Sequence, residues 1–109
     1  MLKKGNGKVK EFNDYFKVIF DGEYLDGKRN GKGKEYDLGG LLKFDGEYLN
    51  GERNGKGKEY DTYNNTLEYE GEYLNGKRNG KGKEYNYKGK IIFEGEYLKG
   101  KRKTKCLII

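Results

Sequence analysis

The sequence contains no histidine, no proline and no tryptophan, and only one cysteine. Without histidine, a Ser–His or Cys–His nucleophile–base pair is excluded. A lone cysteine closes no internal disulfide, and no Cys/His cluster offers a metal site. No cofactor is implied. Long apolar runs are also missing, so no helix spanning a bilayer is expected. Met1-Leu2-Lys3-Lys4-Gly5 is followed by no apolar stretch, so no signal peptide is expected either. The expectation is a cytoplasmic protein, or one held at the cytoplasmic face of a membrane.

Apolar residues are scarce throughout: 32% hydrophobic against 39% charged, with a mean hydropathy of -1.20. An arbitrary chain of this composition buries too little surface to offset its conformational entropy. Against that stand 11 Tyr, 5 Phe and 19 Gly. Aromatic rings bury much area per residue, and glycine lets backbones approach closely. A folded form must therefore be thin, with few but large core residues. The net charge of +6 favours acidic partners: anionic lipid, nucleic acid or an acidic protein face.

What the chain does have is a repeat. Gly-Glu-Tyr-Leu begins at Gly22, Gly46, Gly71 and Gly95. Each copy runs into a basic turn and a second segment, as in Phe20-Asp-Gly-Glu-Tyr-Leu-Asp-Gly-Lys-Arg-Asn-Gly-Lys-Gly-Lys-Glu-Tyr36. Asn6-Gly-Lys-Val-Lys-Glu-Phe12 aligns with Asn30-Gly-Lys-Gly-Lys-Glu-Tyr36. The domain is thus divided into a half-repeat (1–19), repeats at 20–43, 44–68 and 69–92, and a C-terminal half-repeat with a basic tail (93–109). Such arrays need about three units for stability, with atypical ends as caps.

Leu42-Lys-Phe-Asp-Gly-Glu-Tyr-Leu49 alternates with period 2, a strand signal. One face would carry Leu42, Phe44, Gly46 and Tyr48; the other Lys43, Asp45, Glu47 and Leu49. The register recurs at Val18/Phe20/Gly22/Tyr24, Leu67/Tyr69/Gly71/Tyr73 and Ile91/Phe93/Gly95/Tyr97. Asp26 to Gly31 reads as a turn, with a return strand from Lys32 to Tyr36. If Asp26 pairs with Gly31, Tyr24 covers Gly33 across the strands. Glu23 then meets Lys34, as Glu47 meets Lys58 and Glu72 meets Lys83. Second turns fall at Asp37–Gly40, Asp61–Asn65 and Asn86–Gly89. The expected fold is all-β: an elongated solenoid of stacked antiparallel hairpins forming a single meandering sheet, each unit burying its aromatics against neighbours.

This pattern resembles the MORN repeat, approximately Tyr-x-Gly-x-Trp-x-x-Gly-x-x-x-Gly-x-Gly. Phe20, Phe44, Tyr69 and Phe93 fill the leading aromatic position, and Tyr24, Tyr48, Tyr73 and Tyr97 stand where Trp is commonest. Asn30, Asn54 and Asn79 replace the usual His, and the linker Tyr85-Asn-Tyr-Lys-Gly-Lys-Ile-Ile-Phe93 is similar to the subtype with Tyr-x-x-x-Gly linkers. The resemblance implies a rod-like, non-catalytic scaffold that binds other proteins or like arrays, homodimers included, and phospholipid.

Candidate sites follow from the repeat positions. Lys28, Arg29, Arg53, Lys77, Arg78, Lys101 and Arg102 would line one sheet edge at intervals of roughly 10 Å, suited to lipid headgroups or an acidic partner. The plain structural alternative is a solvated edge that resists aggregation. Acidic positions beside every turn weaken both a lipid and a nucleic-acid reading. The ladder Asp21/Glu23, Asp45/Glu47, Glu70/Glu72 and Glu94/Glu96 reads as an ion-paired outer face rather than acid–base machinery, and the aromatic ladder as core rather than a stacking platform for bases. Gly27 to Lys32 lacks the spacing, the Ser/Thr and the helix of a phosphate loop, and Asn64-Asn65-Thr66 is a sequon with no expected use. Cys106-Leu-Ile-Ile109 has the form of a prenylation signal behind the basic stretch Lys99–Lys105; its alternative is a closing strand, since Ile109 aligns with Tyr85.

Overall fold

The computed structural model describes residues 5–103. Nine antiparallel strands follow one another: β1 (Gly7–Phe12), β2 (Val18–Leu25), β3 (Lys28–Tyr36), β4 (Leu42–Leu49), β5 (Glu52–Asp61), β6 (Thr66–Leu74), β7 (Lys77–Tyr85), β8 (Ile91–Leu98) and β9 (Lys101–Arg102). They form a single sheet in chain order, with no helix among the described residues. The chain measures 66 × 28 × 17 Å, much longer than it is thick. The all-β meander of stacked hairpins expected from the sequence is what forms, and β1 pairs antiparallel with β2 at its start.

The hairpin turns are tighter than the sequence suggested. Asp26 and Gly27 alone connect β2 to β3, both with positive φ (51° and 80°). Such a two-residue turn matches the twist of the flanking strands. Tyr24 therefore faces Arg29, not Gly33, and Gly33 faces Gly22. The difference is taken up by a bulge in β3 at Gly31 (φ 99°). Glu23 seals that bulge by accepting a hydrogen bond from the Lys32 backbone N–H (2.8 Å). Glu47 and Glu72 do the same for Lys56 and Lys81. The expected Glu23/Lys34, Glu47/Lys58 and Glu72/Lys83 pairs are thus replaced: Lys34 faces Asp21, Lys58 faces Asp45 and Lys83 faces Glu70.

A second bulge sits near the opposite edge. Glu35 pairs with Phe44, but Tyr36 pairs with Leu42, leaving Lys43 as the extra residue. Leu42 consequently leaves the aromatic row, and the core is Phe20, Phe44, Tyr48, Tyr69, Tyr73 and Tyr97, flanked by Tyr24 and Phe93. The predicted second turns form; Asp37 Oδ1 accepts from the Gly39 and Leu41 N–H groups, and Asn86 Oδ1 from Lys88 and Lys90. Asn13 closes the first loop in the same way.

Candidate functional site

The two sides of the sheet differ in kind. On one, aromatic rings interlock edge to face along the array. Phe20–Tyr48, Phe44–Tyr73 and Tyr69–Tyr97 bridge successive units with centroids 5.3, 5.2 and 5.1 Å apart. This geometry sets positive ring edges against negative faces. The glycines beneath are obligatory: a Cβ on Gly57 would lie 2.6 Å from Phe44 ring atoms.

A single sheet has no second layer to cover these rings, and arginine supplies the cover. Arg29, Arg53, Arg78 and Arg102 lie over Phe20, Phe44, Tyr69 and Phe93 at 4.2, 4.1, 4.2 and 4.6 Å from ring centroid to guanidinium carbon. Each also reaches back to a glutamate of the preceding unit: Arg29 to Glu11, Arg53 to Glu35, Arg78 to Glu59 and Arg102 to Glu84. The hydroxyls of Tyr24, Tyr48 and Tyr73 donate to the first three of those carboxylates. At the last, both Glu84 oxygens are taken by Arg78 and Arg102, and the buried Tyr97 hydroxyl has no hydrogen-bond partner among the described residues.

Burial pushes the Glu35 carboxyl up, but the Arg53 and Tyr48 hydrogen bonds outweigh it and hold the group below the usual carboxylate range. Glu59 behaves alike, with Arg78 and Tyr73. Burial and the bond to Glu35 raise Tyr48, and burial with the bond to Glu59 raises Tyr73, so both stay neutral hydroxyl donors.

The other side is polar and ordered by strand. Asp21/Glu23, Asp45/Glu47, Glu70/Glu72 and Glu94/Glu96 occupy β2, β4, β6 and β8. Lys8/Lys10, Lys32/Lys34, Lys56/Lys58 and Lys81/Lys83 occupy β1, β3, β5 and β7. Cross-strand pairing sets every acidic row beside basic ones, for example Lys32 opposite Glu47 and Lys34 opposite Asp45. An open groove of about 930 Å³ runs across β4 to β8 between these charges, over the backbone of Gly57, Gly71, Gly82 and Gly95. Leu25, Leu49, Leu74 and Leu98, each about half exposed, share this side by strand alternation and stand at the hairpin-tip margin of the sheet, outside the groove's own lining. Tyr36, Tyr60 and Tyr85 stand towards the other margin, and the Tyr85 hydroxyl donates to Glu70.

The structure divides the basic residues singled out from the sequence. Lys28, Lys77 and Lys101 are exposed at the hairpin tips. Arg29, Arg53 and Arg78 are only 20–25% exposed and are committed to rings and carboxylates; Arg102, 43% exposed, makes the same contacts at the array's end. Sequence reasoning missed the glutamates 11, 35, 59 and 84 that hold them; their signal was a Lys-Glu-aromatic triplet whose Glu lies 18 or 19 residues ahead of each Arg. Lys105, Cys106 and Ile109, with the proposed lipidation signal or closing strand, lie outside the described residues. Among the described residues no Cys/His/Asp/Glu group is disposed to hold a metal, and no helix is long and apolar enough to cross a membrane.

A family model described as MORN repeat matches residues 20–37, 44–62 and 69–90. No curated relative matches the chain. The three matched segments begin at Phe20, Phe44 and Tyr69, the ring positions that the arginines cover, and they take up more than half of the chain. The MORN repeat is a non-enzymatic module of protein- and membrane-associated proteins, and this chain belongs to the MORN-repeat family.

Proposed function

We propose that the chain is a non-enzymatic scaffold that binds another protein, or a like array, through the charged side of its sheet. The supporting observation is the asymmetry of that sheet. One side is consumed by its own arginines, tyrosines and glutamates. The other presents charges and half-exposed leucines in regular rows. Charge depletion at an interface core is the general tendency, so this side suits specificity and rapid association more than extreme affinity. Affinity capture from the native host tests the reading with wild type and with a variant carrying Lys58→Gln, Lys81→Gln, Leu49→Ser and Leu74→Ser. The variant should keep its β-sheet circular dichroism and lose the partner. Undiminished capture by a folded variant overturns the assignment of this side.

A second reading, peripheral binding to phospholipid, draws on the loop edge. Tyr15, Phe16 and Tyr63 are 81%, 86% and 95% exposed there, with Tyr87 and Ile92 further along and Lys17, Lys88 and Lys90 between them. Amphipathic rings and ammonium groups together suit a headgroup layer. The tip lysines Lys28, Lys77 and Lys101 stand on the opposite edge of the sheet and would serve a separate attachment, and a prenylated Cys106 would add an anchor of its own. Vesicle flotation should rise with anionic lipid and fall in Phe16→Ser/Tyr63→Ser. Flotation indifferent to both removes this reading, and the intact mass of the C-terminus from the native host decides the prenyl group.

A further inference from the structure

The charged side carries a pattern finer than its net charge. Sign alternates from strand to strand without a break from β1 to β8, two like charges per strand flanking the groove floor. Neighbouring strands lie about 4.8 Å apart, so an occupant running along the array meets opposite sign every ~4.8 Å and the same sign every ~9.6 Å. Cross-strand neighbours do not quench this pattern by close pairing. Among the described residues, only Lys83–Glu94 (4.0 Å) and Lys103–Glu96 (3.6 Å) form ion pairs on this side. The rows remain available to a partner, apart from the oxygens of Glu23, Glu47 and Glu72 spent on the bulges and that of Glu70 spent on Tyr85.

Chain conformation then selects the partner. An extended strand presents same-side residues every ~6.8 Å and falls out of step at once. An α-helix presents same-face residues once per turn, every ~5.4 Å, with an excess over the row spacing of only ~0.6 Å per turn. Centred on the groove, it stays within half a row for about four turns on either side of its centre. The leucines along one margin offer contact to apolar residues on one flank of such a helix.

Resting on the scaffold reading above, we propose that this groove takes an α-helical segment of a partner whose facing stripe alternates in sign turn by turn, acidic at i, basic at i+3 or i+4, and acidic again at i+7. Glutamates of the helix sit over the lysine strands β5 and β7, and its lysines over the acidic strands β4, β6 and β8. A helix with its charges in blocks, or with one sign only, meets repulsion at every second strand.

The test uses the full chain and three synthetic helical peptides of one composition: one alternating in step, one with acidic and basic residues in separate blocks, and one with the alternating stripe scattered round the helix. Fluorescence anisotropy should show the in-step peptide binding roughly tenfold or more tighter than either control, an advantage that shrinks with added salt. Lys81→Gln/Lys83→Gln should reduce the preference, and Lys28→Gln, at the hairpin tip outside the groove, should leave it intact. Equal binding of all three peptides, or no binding of any, overturns the proposal. So does a salt-sensitive dimer of the chain that the in-step peptide fails to dissociate, which would make a second copy the occupant. If the host partner is still lost from the charged-side variant while the peptides fail, the scaffold reading stands and the helical partner alone is rejected.

Discussion

Arg53 lies over Phe44, its guanidinium carbon 4.1 Å from the ring centroid, and this contact substitutes for the second layer that a lone sheet lacks. The same guanidinium donates to Glu35 at 2.9 and 3.1 Å, tying three strands together. Cation–π contact and a forked charge-assisted bond reinforce each other when partly desolvated.

Arg53→Ala should therefore destabilise the chain by about 2–3 kcal/mol. Arg53→Lys should recover less than half, because an ammonium neither stacks flat nor forks. Urea unfolding of Arg53→Ala, Glu35→Ala and the double variant should give a coupling of roughly 1–2 kcal/mol. Additive losses would show that the pair contributes nothing beyond its separate parts.

Acid should weaken the fold through these carboxylates. Glu35 and Glu59 lie below their ordinary range in the folded chain, so the unfolded chain binds their protons first. Their stabilisation is complete above the unfolded carboxylate pKa, about 4.3, and is lost as pH falls through the lower folded value. Thermal melting should hold steady near neutrality and drop below about pH 4.5. Glu35→Gln/Glu59→Gln should flatten that drop; an unchanged acid profile would place the sensitivity elsewhere.

Alkali should act through tyrosine. Burial raises Tyr48 and Tyr73 above the ordinary phenol value, reinforced by bonds to Glu35 and Glu59. The stability they contribute is present below the unfolded value of about 10 and is lost as pH rises beyond it. Tyrosinate absorbance should show a late step coincident with loss of the sheet signal, smaller in Tyr48→Phe/Tyr73→Phe, where the buried Tyr69 and Tyr97 remain raised. Ionisation of every tyrosine before unfolding would contradict this.

Glycines should fall into two classes. A Cβ on Gly57 meets the Phe44 ring at 2.6 Å, so Gly57→Ala should cost about 2 kcal/mol or more. A Cβ on Gly51 meets nothing within 4 Å, and only its φ of 90° resists, so Gly51→Ala should cost about 1 kcal/mol. Melting temperatures in the reverse order would remove the ring–glycine contact as the reason for the close approach.

Glu47 and Asp45 share the charged side but differ in duty. Glu47 accepts the Lys56 N–H at 2.7 Å and closes a bulge. Glu47→Ala should cost about 1 kcal/mol, with faster amide exchange at Lys56, whereas Asp45→Ala should be close to neutral in stability. Equal effects would mean that the bulge holds without its seal.

Much of this was legible beforehand. Period-2 alternation around Phe20, Phe44, Tyr69 and Phe93, repeated with glycine at fixed offsets, specifies strands, hairpins and a wet and a dry side, because side chains two apart on a strand must share a face. What escaped were the hairpin register and the fate of the arginines. A six-residue polar stretch such as Asp26–Gly31 accommodates a wide turn or a tight turn followed by a bulge; the twist of the paired strands selects the latter. Arg29 reads locally as a solvated turn cation, because its partners Phe20 and Glu11 lie 9 and 18 residues away and meet it only once three strands are side by side. Local periodicity thus determined the faces and the fold, while long-range pairing decided which charges are structural and which remain at the surface. A side chain as long as arginine takes its role from the surface its guanidinium reaches, and that surface exists only after the strands have paired.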